Sequence, residues 1–401
     1  MDLSFRTSPG NMFLRIVIVL ILIPFANLFA QDEQASPKKL NMKGYLKEMA
    51  SFNYYGDSLL FQNLVHNRLN FAWYPNKELT VYVELRTRLL MGDLVRDVPN
   101  YGKLVDSNND YFDLSINAID SKSALLNIMA DRAYLQWSHN NWEIKAGRQR
   151  INWGVNLAWN PNDWFNAYSF YDFDYEERPG SDALRISRYT GVASSVEVAA
   201  KMSEDIDHFV GAGMWKVNKF NYDLQTLAGL VQGDLALGLG WAGNLKKAGF
   251  KGELTLFNKI TETQYNGAYD KMFLGAISID YAFENSFYLN GSVMYNSQGS
   301  IHPPLGFPVV GLRPGTVRDL SPYIWSSFLQ STYQISPLFY TGLALIGYPG
   351  SDSFFINPSL TISAMQNLDV DMIGQLFYGN DLNGNFGSIL KAGYVRLKWS
   401  F

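Results

Sequence analysis

Apolar and polar side chains alternate along most of this chain. In the stretch 78–91, Val81, Val83, Leu85 and Leu89 fall on one face and Glu84, Arg86 and Arg88 on the other. The stretch 62–74 sets Val65, Leu69, Phe71 and Trp73 against His66, Arg68 and Asn70. A period of two residues belongs to a strand whose two faces meet different surroundings. About eighteen such stretches of roughly 8–14 residues follow one another between residues 42 and 401. Helical spacing is confined to a candidate around Ser121 to Ile128.

The connections sort themselves by length. Every second one is a short turn, as at Pro75-Asn76-Lys77, His139-Asn140, Leu245-Lys246-Lys247, Glu284-Asn285 and Gln366-Asn367. The others are often long: 92–127, 152–181, 261–270, 298–321 and 379–387. Aromatic residues crowd the short turns: Trp73, Trp137, Trp142, Trp215, Trp241, Phe283, Phe287 and Phe339. Short turns on one side, long loops on the other and an aromatic girdle are the pattern of a transmembrane β-barrel. A soluble sandwich has no reason to sort its loops by parity. The expected fold is therefore all-β: one antiparallel transmembrane barrel over residues 42–401, of about 18 strands, with 16 as the nearest alternative.

The ends of the chain fit that picture. Arg6 and Arg15 precede the apolar run Ile16 to Ile23, and Ala26-Asn27-Leu28-Phe29-Ala30 offers a cleavage region, so residues 1–30 read as an export signal. Residues 31–41 form a polar lead-in. In the final stretch Val395, Leu397, Trp399 and Phe401 oppose Arg396, Lys398 and Ser400. A chain closing on an aromatic residue in such a strand resembles the assembly signal of outer-membrane barrels, which implies barrel-assembly machinery as a partner. The expected location is the outer membrane of a Gram-negative bacterium, with its lipid around the wall.

Composition narrows the chemistry. The net charge of −4 argues against nucleic acid, which wants a basic surface. There is no cysteine, and no P-loop, nucleophile elbow or metal-ligand cluster among the four histidines. Asp172-x-Asp174-x-Glu176 has the spacing of a calcium loop but carries Glu177 where that loop needs glycine. No enzyme, metal or cofactor is expected.

What remains is the wall itself. A Lys or Arg facing lipid at the midplane costs about 2–4 kcal/mol, so charged residues in alternating strands are assigned to the lumen. That places Arg68, Glu84, Arg86, Arg88, Arg132, Arg185 and Arg396 along the solute path. Arg148 and Arg150 join them, although alternation fails at Arg148-Gln149-Arg150, where the strand either leaves the hydrocarbon or carries a bulge. Ten of the fifteen arginines lie between Arg68 and Arg188. They form either an anion-attracting ladder or a wall stiffened by pairing with Glu84, Glu143 and Glu197.

The stretch Asn141 to Gly191 is the richest. Two alternating strands flank a loop, Asn152 to Ser181, with nine aromatic rings between Trp153 and Tyr175. Trp153, Trp159, Asp163, Trp164, Asp172, Asp174, Glu176 and Arg178 are its candidate constriction residues. Folded inward, its carboxylates would face the arginine wall and its rings could serve as a slide for sugars; packed on itself, it would be an ordinary external loop.

Gly147-Arg148-Gln149, Trp153-Gly154, Asn160-Pro161-x-Asp163 and Arg178-Pro179-Gly180-x-Asp182-Ala183-Leu184-Arg185 resemble the alginate-export-like group of bacterial outer-membrane channels. The resemblance covers roughly forty residues. It implies a porin-like channel for passive diffusion or export of small polar solutes or saccharides, anions among them. The alternative is a non-conducting barrel used in adhesion or in assembling surface polymers. Oligomerisation is left open.

Overall fold

The computed structural model describes residues 39–55, 58–106, 110–167, 174, 176–267, 269–301, 316–380 and 385–401. The export signal, most of the lead-in and Asp172 lie outside the described residues. Nineteen strands follow in order: β1 (Leu40–Tyr55), β2 (Ser58–Trp73), β3 (Leu79–Gly92), β4 (Ser115–Asp120), β5 (Ala124–His139), β6 (Trp142–Gln149), β7 (Ser181–Gly191), β8 (Ser194–Lys201), β9 (Val210–Lys219) and β10 (Tyr222–Val231). They continue as β11 (Asp234–Leu245), β12 (Ala248–Lys259), β13 (Lys271–Ala282), β14 (Phe287–Asn296), β15 (Trp325–Ser336), β16 (Phe339–Gly347), β17 (Phe354–Met365), β18 (Leu368–Asn380) and β19 (Phe386–Ser400). Two five-residue helices, α1 (Asp93–Asp97) and α2 (Tyr101–Val105), sit between β3 and β4.

Neighbours pair antiparallel around the sheet, and β19 returns to β1 with Tyr45 opposite Ser400 and Tyr54 opposite Lys391. The sheet thus closes on itself, as a structure surrounded by hydrocarbon requires. β4 is the exception to simple succession. β3 pairs directly with β5, so eighteen strands make the wall, and the sixteen-strand alternative is set aside.

One stretch differs from its expected form. The candidate helix around Ser121 to Ile128 is the start of β5, where Leu125 and Asn127 point inward. Eight residues carry too weak a helical signal to compete with ladders to β3 and β4 on both sides.

Turn parity holds. At one end the connections 74–78, 140–141, 192–193, 220–221, 246–247, 283–286, 337–338 and 366–367 are all short. Asn140, Asn221, Lys246 and Asn367 there adopt left-handed backbone, the twist that tight hairpins demand. The long connections 93–123, 150–180 and 297–324 lie at the other end, with 56–57 and 232–233 as its two short members. Side chains obey the pleat as well. Leu184, Val198, Leu237, Ile277, Val293 and Leu397 are exposed on the outside, while their sequence neighbours Arg185, Glu197, Ala236, Ala276, Ser292 and Arg396 turn inward. Leu89 keeps the outward register but is buried, with Val65 and Leu126 opposite it.

The irregular Arg148-Gln149-Arg150 has a specific cause. β5 pairs with β6 only over Ala133 to His139; beyond that, residues Leu125 to Met129 pair with β4 instead. β6 bends at Gly147, whose φ is 115°, keeps its ladder to β5 as far as Arg148 and to β7 as far as Gln149, and then leaves the wall; β4 fills the edge of β5 beyond. The bulge expected there lies on β5, where Asp131 is the extra residue between Arg132, opposite Glu84, and Ala130, opposite Leu85.

Candidate functional site

The segment that leaves the wall after Gln149 crosses the lumen. Its first half docks on β8 to β15. Glu253 of β12 receives three backbone N–H groups from it: Val155 at 2.6 Å, Asn156 at 2.9 Å and Asn162 at 2.9 Å. A carboxylate has just the acceptor capacity for that, and the donors would otherwise be orphaned in a dry place. Around this anchor Asn162 Nδ2 donates to the Leu239 carbonyl, Ser278 Oγ to Asn156 Oδ1 and Gln225 Nε2 to the Trp153 carbonyl. Gly238 makes room for the approach, since a Cβ there would stand 2.8 Å from Asn162 Oδ1 and 3.0 Å from Trp164.

The rings of this half form a buried cluster. Trp153, Trp159 and Trp164 are all under 5% exposed. Trp153 meets Phe165 edge-on at 5.1 Å, and Trp159 meets Phe328 of β15 at 6.1 Å. They pack against inward Ala, Met and Leu side chains of the far wall. These three indoles are core, and they offer no continuous slide for a sugar.

The second half is acidic and meets the opposite wall, made of β19, β1, β2 and β3. Asp174 lies 2.7 Å from Lys47 Nζ and 3.5 Å from Arg396 Nη1. Glu176 is 2.6 Å from Lys398 Nζ and 3.4 Å from Arg396. Glu177 approaches Arg68 at 3.5 Å, and the carbonyls of Glu177 and Arg178 each accept from Arg132 Nη2 at 2.8 Å. The loop therefore bridges the lumen from wall to wall.

This barrel wall, inward loop and sorted turns can be set beside known structures. The chain aligns over 93% of its length with 99% of Pseudomonas aeruginosa OccK11 (OpdR), at 12% identity and a TM-score of 0.57. Pseudomonas aeruginosa OccK5 (OpdH) gives 9% identity over 91% of this chain and 98% of that one, with a TM-score of 0.56. Acinetobacter baumannii OccAB4 gives 9% over 91% and 100%, with a TM-score of 0.55. The fold is that of outer-membrane porins. No family model matches the sequence, and no curated protein does. Nothing in these likenesses singles out the alginate-export-like group.

Within the porin fold the expected arginines fall into three situations. Arg68 is fully buried among Glu84, Asp131 and Glu177, with its Nε donating to Asn70 Oδ1 at 3.0 Å. Arg185 pairs with Glu197 and Arg396 with Asp371, so these too stand in ion pairs along the wall. Arg88 donates to the Val105 carbonyl and to Asn127, tying α2 to the wall. Arg86 lines the lumen, 7% exposed, opposite Arg68 in the ladder. Arg68, Arg185 and Arg396 thus each stand beside a carboxylate of the wall.

Arg148 is not a pore residue. It is 5% exposed at the seam where β6 departs; it donates to both oxygens of Asp182 at 2.9 and 2.8 Å, and to the carbonyl of Phe112. Asp182 completes the seam by accepting from the Phe112 N–H at 2.8 Å. Arg150 lies on the loop, 3.8 Å from the buried Asp163. Asp163 is 1% exposed and its oxygens accept no hydrogen bond of ordinary geometry among the described residues. Burial pushes its carboxyl up to about 6, against the pull of Arg150 and Arg178.

Sequence reasoning missed Glu253, Lys47 and Asp131. Glu253 falls inward by the alternation of β12, but nothing local to it says that a loop about ninety residues earlier would cap it. Lys47 has a signal in hindsight, because Glu48 follows it, and consecutive charged residues in a strand must face opposite ways.

Proposed function

We propose that this protein is a channel of the Gram-negative outer membrane that passes small polar solutes, anions among them, by diffusion through a lumen narrowed by residues 150–180. The observation that carries the reading is the charged cross-section. Lys47, Arg68, Arg396 and Lys398 on one wall face Asp174, Glu176 and Glu177 on the loop. A purely structural filling would be apolar, as the other half of the loop is. Opposed rows of charge hold water and exchange part of a solute's hydration for side-chain contacts. Because these cations are paired, sieving by size is expected to outweigh selection by charge. A barrel of this strand number is wide enough to leave a passage beside an inward loop.

Reconstitution into planar bilayers tests this. Stepwise conductance with a small reversal potential in a salt gradient supports the channel, and a strong cation preference counts against anion passage.

A second reading is favoured by the loop's contact with both walls and by the sealed Trp153 and Trp159. In it the barrel conducts nothing and serves adhesion or assembly of surface polymers. Silent bilayers with correctly folded protein would decide for it.

A further inference from the structure

Two tyrosines stand on the lumen wall below the loop, toward the end of short turns, which is the periplasmic one. Tyr82 of β3 and Tyr134 of β5 lie opposite each other in the ladder, and their rings stack with centroids 4.8 Å apart and planes 26° from parallel. Parity turns both inward: Tyr82 shares its face with Glu84 and Arg86, and Tyr134 shares its face with Arg132 and Gln136. Arg132, two residues nearer the loop, is the donor to the Glu177 and Arg178 carbonyls. The rings therefore come next after the charged cross-section on the way to the periplasm.

Their neighbours leave them room. In the same ladder row Ala72 of β2 lies opposite Tyr82, and Gly147 of β6 lies opposite Tyr134. Neither has a side chain large enough to cover a ring, and both tyrosines stay partly exposed. Tyr74, exposed in the turn before β3, hydrogen-bonds to the Tyr82 phenol and carries the row toward the mouth. The rim around the rings is polar. Glu84 lies two residues nearer the loop, and Gln136 two residues nearer the mouth. Gln136 Nε2 donates to Glu143 at 3.0 Å, Glu143 sits 3.2 Å from Lys145, and Lys145 Nζ stands 5.9 Å from the centre of the Tyr134 ring.

The charges of this rim cancel in pairs, Glu84 with Arg68 and Glu143 with Lys145. A paired rim favours neither sign of ion, yet it keeps lone pairs and N–H groups to offer a ligand. An apolar plane with donors and acceptors around it fits a sugar ring. A pyranose lays its C–H face on the aromatic surface and turns its hydroxyls, each both donor and acceptor, to the rim. A small anion gains nothing from the rings, and a planar aromatic solute nothing from the rim.

We propose that Tyr82 and Tyr134 form a binding site for neutral saccharides on the periplasmic side of the constriction. Solutes reach the rings through the lumen, so the site rests on the channel reading.

Calorimetric titration of the folded protein in detergent with maltotriose tests the site whether or not bilayers conduct. The parent is expected to bind saturably. Tyr82→Ala should weaken binding about tenfold, the loss of one stacked surface, while Tyr82→Phe should stay close to the parent. Ala72→Leu keeps both rings but covers the face of Tyr82, and should weaken binding likewise. Tyr340→Ala removes an exposed tyrosine of β16, elsewhere on the wall, and should change nothing. Folding of each variant is read from its heat-dependent gel mobility. No saturable binding by the parent, equal loss from Tyr82→Ala and Tyr340→Ala, or tighter binding of a trisaccharide of uronic acids than of maltotriose overturns the proposal. A conducting channel that binds no maltotriose would remove this site and leave the channel reading standing. Silent bilayers with tyrosine-dependent binding would do the reverse.

Discussion

Glu253 and Asn162 are 91 residues apart in sequence and meet at 2.9 Å, the Asn162 N–H donating to a carboxylate that also accepts from Val155 and Asn156. One side chain of the far wall thus fixes the loop that narrows the lumen. Glu253→Gln keeps the shape but replaces one acceptor by a donor aimed at N–H groups. Each buried donor left unmatched costs about 1–3 kcal/mol. The variant is expected to fold, with its unfolding midpoint lowered and its single-channel current larger and noisier as the loop loosens. Unchanged current would mean that the loop does not limit flow.

Arg68 does the corresponding work on the basic wall. It is sealed from water and surrounded by Glu84, Asp131 and Glu177. Removing one member of a buried ionic cluster typically costs about 3–5 kcal/mol, because the remaining charges stay behind. Arg68→Met should therefore destabilise the barrel in urea titrations and, in the fraction that folds, shift the reversal potential toward cations. A shift toward anions would contradict the pairing.

Much of this was legible beforehand, and the reason is the pleat. Strand limits such as β12 and β17 follow from a two-residue period that lipid enforces residue by residue, because an error there exposes charge to hydrocarbon. The wall arginines were legible for the same reason. Of their partners Glu84 and Glu197 were legible too, while Asp131, Glu177 and Asp371 were not. Arg148 carries the same side chain as Arg185, yet a turn at Gly147 puts it in a seam, and the sequence around it shows only broken alternation. Asp131 was hidden because a bulge breaks the parity used to read faces. The anchoring of Asn162 on Glu253 depends on where a long loop goes after leaving the sheet, and no local pattern encodes that.

Acid should affect the loop in two opposite ways. Burial raises the Asp163 carboxyl to about 6 from 3.8. A group with a higher pKa in the fold than in the unfolded chain stabilises the fold when protonated; its contribution is full below 3.8 and is lost as pH rises through 6. Asp174 runs the other way. Burial opposes its charge, but His66 and Lys47 beside it outweigh that and hold it well below the usual carboxylate range, so its contribution is lost on acidification. Comparing Asp163→Asn with the parent isolates the first effect. The difference in unfolding midpoint should change between about pH 4 and 6.5, the parent gaining relative stability as the pH falls. A pH-independent difference would place Asp163 in contact with water.

Gly147 bends β6 just before the strand gives way to the loop. Its φ of 115° belongs to a region that side chains with a Cβ rarely adopt, and an added Cβ would run into the carbonyl of Ala133. Gly147→Val has two ways out. β6 can continue straight along β5, displacing β4 and breaking the Arg148–Asp182–Phe112 seam, or the chain can fail to close. Either way the heat-dependent mobility shift of a closed barrel should be lost or weakened. Gly238→Ala is the comparison. It also crowds the loop, at Asn162, but leaves the wall ladder intact, so it should close normally and alter only conductance. If Gly147→Val closes as well as Gly238→Ala, the departure of β6 is set by the loop's docking and not by this bend.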